Sequence, residues 1–61
     1  MKLLNKKVRV SYEGPKSASE IKGILREIGV NFIGIEKGSH TIYIPINRIY
    51  EIKEVVRARY T

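Results

Sequence analysis

Ser17-Ala18-Ser19-Glu20-Ile21-Lys22-Gly23-Ile24-Leu25-Arg26-Glu27-Ile28-Gly29 is the stretch on which the fold turns. Ile21, Ile24, Leu25 and Ile28 stand at i, i+3, i+4 and i+7, the spacing of one helix face. Ser17 and Glu20 have the spacing of a capping box, and Gly29 stands where a helix could end. Gly23 argues the other way. Inside a helix it costs about 1 kcal/mol relative to alanine, whereas in a strand it permits a bulge or a sharp coil. Local pattern alone favours a helix over 18–28, packed on a three- or four-stranded antiparallel sheet. The alternative is an extended segment bent near Gly23.

On either side the pattern is that of strands. Residues 7–12 alternate, with Val8, Val10 and Tyr12 on one face and Lys7, Arg9 and Ser11 on the other. Glu13-Gly14-Pro15-Lys16-Ser17 then breaks the run as a turn. Residues 30–37 read as a strand with two apolar faces, Val30 with Phe32 and Ile33 with Ile35. Lys37-Gly38-Ser39 is a turn. Residues 40–46 alternate Ile42, Ile44 and Ile46 against Thr41 and Tyr43, and Pro45 ends that strand or places it on an edge. Residues 49–53 read as a strand with Tyr50 and Ile52 on one face, or as a helix using Ile49, Ile52 and Val56. A basic segment, 54–61, follows.

Sixty-one residues allow one domain, 1–61, with its core within 3–53. A core this small rarely supplies more than about 3–5 kcal/mol net, so such domains often lean on a disulfide, a metal or a partner. There is no cysteine and only one histidine, which removes disulfides, thiolate sites and multi-histidine sites. Self-association is the stabiliser that remains. Twelve Lys and Arg against six acidic residues give a net charge of +6, which attracts polyanions. No apolar run approaches the roughly 18–20 residues of a membrane span, and the chain is read as cytoplasmic with no membrane partner.

Taken in order, the segments resemble the Sm-like proteins, including the Hfq type, and in style the short Sm-like proteins of spore-forming bacteria. The matching stretches are Val8-Arg9-Val10, Ile21-Lys22-Gly23-Ile24-Leu25, Ile28-Gly29-Val30-Asn31-Phe32-Ile33, Tyr43-Ile44-Pro45 and Ile49-Tyr50-Glu51-Ile52. The resemblance implies an all-β fold, a small barrel (SH3-like) of five strongly bent antiparallel strands, with 19–28 as the bent second strand. It also implies a homo-oligomeric ring, a hexamer or heptamer, in which a strand of one subunit pairs with a strand of the next. For the better-known members the implied ligand is single-stranded RNA, often uridine-rich, held by two loops around the pore. This chain departs from that signature. The family's Asp position falls on Gly29, its stacking position on Asn31 and its Asn position on Ile33, while Ile44-Pro45-Ile46 replaces the Arg-Gly or Lys-His motif. Of the equivalent loops, Asn31, Asn47 and Arg48 offer polar contacts, so RNA contact would rest on charge rather than on uridine recognition.

The candidate nucleic-acid-binding residues are therefore Asn31, Tyr43, Asn47 and Arg48, with two basic clusters, Lys6, Lys7 and Arg9 near the start and Arg57 and Arg59 near the end. Aromatic platforms beside cations hold single strands through stacking and phosphate contact, and Tyr43 is the most exposed candidate. His40 reads as a turn residue. No nucleophile–base pair, paired carboxylates or glycine-rich phosphate cradle can be assembled, so neither an enzyme nor a cofactor is expected. Two functions follow: an RNA-binding ring, or a structural assembly module that takes a protein partner. Far-ultraviolet circular dichroism separates the two folds, because a helix over 18–28 would dominate the spectrum whereas the bent sheet gives a β-type curve.

Overall fold

The computed structural model describes residues 3–56. Strands β1 (Lys7–Glu13), β2 (Ala18–Ile28), β3 (Phe32–Lys37), β4 (His40–Pro45) and β5 (Ile49–Glu54) form one antiparallel sheet in the order β4-β3-β2-β1-β5. A 3-10 turn, Ile46–Arg48, joins β4 to β5. The fold is all-β, and the segment that could have been a helix over 18–28 is a strand of 11 residues.

Two ladders decide that outcome. The first half of β2 pairs with β1 from Glu13↔Ala18 to Lys7↔Ile24, and the second half pairs with β3 from Ile24↔Glu36 to Ile28↔Ile33. A helix in this position would leave both neighbours without a partner for their backbone groups. β2 changes partners around Gly23–Leu25, and glycine is required there. A Cβ on Gly23 would stand 2.5 Å from the Glu36 carbonyl oxygen and 2.6 Å from Ile35 Cγ2. The helical spacing of four apolar residues is thus redistributed. Ile21 and Leu25 enter the core, Ile24 faces outward, and Ile28 stays partly exposed.

Just beyond the bend the β2–β3 register slips between Leu25 and Glu27, leaving Arg26 as the extra residue. An N-terminal turn seals this point. Asn5 N–H donates to the Leu25 carbonyl (2.6 Å), and Leu25 N–H donates to the Lys6 carbonyl (3.0 Å). Asn5 has φ 67, a left-handed conformation that asparagine tolerates better than most residues. Arg26 Nε donates to Glu36 Oε1 at 2.5 Å and its Nη1 to Asn5 Oδ1 at 3.2 Å, which ties that turn to the sheet.

One face of the curled sheet carries the core: Val8, Val10, Ile21, Leu25, Ile33, Ile35 and Ile44, with Leu3, Tyr12, Ile49 and Ile52 packed against it. Strict alternation along β1 and across the β3–β4 pairs Ile33↔Ile44 and Ile35↔Ile42 puts these side chains together. Two expectations are corrected. Val30 does not share a strand face with Phe32: it lies in the turn before β3 and is fully exposed. Nor do Tyr50 and Ile52 share a face. The β1–β5 register slips between Ser11 and Tyr12, so that Ile49 and Ile52 pack inward while Tyr50 is the extra, exposed residue.

Gly23→Ala should lower folding stability by about 1–3 kcal/mol through overpacking at the bend. The adjacent outward-facing Lys22→Ala should change it by no more than about 0.5 kcal/mol. Urea denaturation of the two variants checks the difference.

Candidate nucleic-acid interface

The face opposite the core is built by the residues that alternate with it. On the β3–β4 hairpin these are Phe32, Gly34 and Glu36, opposite Pro45, Tyr43 and Thr41. Gly34 leaves room for a ring to lie on the sheet: a Cβ there would meet Tyr43 Cε1 at 3.0 Å and Glu27 Cβ at 3.3 Å. Gly29 plays the same part for Phe32, whose ring occupies the space a side chain at 29 would need. The Phe32 and Tyr43 rings meet edge to face, with centroids 5.6 Å apart and planes at 69°. Such a contact is worth about 0.5–1.5 kcal/mol beyond area burial. With Asn31 and Pro45 the two rings line an open hollow of about 210 Å³.

The 3-10 turn adjoins this hollow. Ile46 N–H donates to the Asn31 carbonyl at 2.9 Å, so Asn47 and Arg48 follow directly from a residue fastened to the rim. Both are exposed. Four of the expected contact residues, Asn31, Tyr43, Asn47 and Arg48, are therefore gathered at one end of the sheet. Tyr43 is 58% exposed and half of the aromatic pair, so its ring serves both packing and presentation.

The N-terminal cations lie elsewhere. Lys7 and Arg9 project from β1 on the outer face, and Lys6 immediately precedes that strand. Lys6 Nζ is 3.7 Å from Glu54 Oε2, and Arg9 Nε is 3.7 Å from Glu20 Oε2. Both are half-exposed ion pairs of the kind that contribute about 0–1 kcal/mol. Arg57 and Arg59 lie outside the described residues. Of the other tyrosines, Tyr12 is half-buried against the core and Tyr50 is exposed. His40 is the exposed first residue of β4, immediately after the turn.

Residue reading alone missed Phe32 and Pro45. Counting outward from the Lys37-Gly38-Ser39-His40 turn would have found them, since Lys37↔His40 pairing forces Gly34 opposite Tyr43 and Phe32 opposite Pro45. It also missed Lys22 and Lys53, which pairing sets on either side of Arg9. Among the described residues no group of three or more His, Cys, Asp or Glu could hold a metal ion, and no helix is long and apolar enough to cross a membrane. Comparison with protein-family models, curated proteins and solved structures returned no match.

Leu25→Ala should cost about 2–5 kcal/mol, as much as the whole core supplies, and leave the chain unfolded at room temperature. Tyr43→Ala should cost less than about 1.5 kcal/mol and leave it folded. Thermal melts of the two variants check the contrast.

Proposed function

We propose that this protein is a non-catalytic, Sm-like RNA-binding module of the cytoplasm that assembles into a homo-oligomeric ring and holds single-stranded RNA through basic and aromatic surface. The observation that carries the reading is the preformed hollow of Phe32, Tyr43, Pro45 and Asn31, adjoining Asn47 and Arg48 on a body of net charge +6. Exposed rings accept any base by stacking, and neighbouring cations take the phosphates, which suits sequence-tolerant binding. The absence of the family's Asp and Asn positions agrees with contact of this kind.

Ring assembly is supported by the sheet order. β4 and β5 are its two edges, and each carries a row of backbone groups with no strand partner among the described residues. Pairing the β4 edge of one copy with the β5 edge of the next would satisfy both rows, and a closed ring leaves no edge over.

A second reading, a structural module that takes a protein partner, draws on the exposed apolar side chains Ile42, Ile46 and Tyr50 on or beside these edges. It expects a stable oligomer indifferent to RNA, and recovery of a protein in pull-downs after nuclease treatment.

Fluorescence anisotropy with labelled oligo-U and oligo-A tests the first reading. Both should bind at low salt and weaken steeply as salt rises. Tyr43→Ala should weaken binding by about 1–3 kcal/mol, roughly 5- to 150-fold. No binding to either oligomer at low salt would overturn RNA binding, and a single protomer in light scattering at high concentration would overturn the ring.

A further inference from the structure

On the outer face of the other half of the sheet, β5, β1 and β2 bring Lys53, Arg9 and Lys22 directly opposite one another, through the pairs Arg9↔Lys53 and Arg9↔Lys22. Directly opposed antiparallel residues have Cα atoms about 4.5–5.5 Å apart, so the Cα atoms of the three residues span about 11 Å. Like charges in such positions repel, and an isolated sheet gains nothing from the arrangement. Lys7 projects from the same face two residues before Arg9. The counter-charges are one row away, where Glu51 and Glu20 flank Ser11. Glu20 reaches Arg9 diagonally across the β1–β2 ladder at 3.7 Å, and Glu51 reaches Lys53 along β5 at 3.6 Å, with all four side chains about half exposed. Lys22 has no ion pair among the described residues.

We propose that the row Lys53–Arg9–Lys22 is a second contact zone for the phosphodiester backbone of single-stranded RNA, separate from the aromatic hollow. The proposal rests on the RNA-binding reading and adds Lys22 and Lys53 to it. Phosphates placed along the row would screen the mutual repulsion of its cations, which the two half-exposed ion pairs at Arg9 and Lys53 offset only in part, leaving Lys22 unanswered among the described residues. The two zones divide the work. The hollow on β3–β4 takes bases, and the row on β5–β1–β2 takes phosphates.

The salt dependence of binding separates them. For single strands the slope of log K against log salt changes by about 0.7 for each phosphate contact. Lys22→Gln/Lys53→Gln should therefore make the slope for oligo-A shallower by about 1.4. Lys16→Gln/Lys37→Gln, which removes the same charge from two exposed turn-flanking positions, should leave the slope close to that of the unaltered protein. Tyr43→Ala should lower affinity without changing it. If the first variant loses its fold in circular dichroism, the single Lys22→Gln, at an exposed position outside any described ion pair, keeps the measurement open with an expected change of about 0.7. Equal slopes for the row and control variants, with the unaltered protein still binding, overturn the phosphate row and leave RNA binding standing. No binding by the unaltered protein overturns both.

Discussion

The 3-10 turn Ile46–Arg48 is a short tether between the two edges of one sheet. In a flat five-stranded sheet β4 and β5 would stand about 19 Å apart, four spacings of about 4.8 Å. A 3-10 segment rises about 2 Å per residue, so the step from Pro45 to Ile49 covers about 8 Å. The sheet has to curl for the connection to be made, and the curl is concentrated in β2, which pairs with β1 along one half and with β3 along the other. Gly23 lets that strand press against β3, and the slip at Arg26 adds to the bend. Core, outer face and free edges all follow from this geometry.

The bend also explains how much of the fold could be read from residues. β1 and β4 were legible because period-two alternation is a local signal, and β3 because it is a short apolar run of β-forming residues closed by a turn. β2 was ambiguous because Ile21, Ile24, Leu25 and Ile28 satisfy a helix in full. What overrides them is the demand of two flanking ladders for a central partner, a non-local effect that no window of residues contains. Gly23 was the single local clue. The slips at Arg26 and beside Tyr50 were not legible, since each is set by the partner strand rather than by its own sequence.

The candidate interface divides in the same way. Asn31, Asn47 and Arg48 could be named because they fall in loops, and Tyr43 because its strand neighbours take the core side. Phe32 was hidden by its apolar character, which reads as core until hairpin pairing puts it on the opposite face from Ile33 and Ile35. The union of Lys22, Arg9 and Lys53 needs three strands in register and is invisible to any linear scan. The two glycines under the aromatic pair are a further case: Gly29 reads in sequence as a place for a helix to end and Gly34 falls inside a strand, yet each clears the floor on which a ring rests.

β1 sits between its immediate successor and the final strand of the sheet. Its ladder with β2 closes a short hairpin, whereas its ladder with β5 joins residues more than 35 positions apart, from Tyr12↔Ile49 to Val8↔Glu54. Closing so long a loop carries an entropic barrier that the hairpins do not face, and folding slows as contacts become more distant along the chain. During synthesis, therefore, β1 through β4 can emerge and pair in order while one flank of β1 stays bare. The sheet is finished only when β5 has left the ribosome and docked.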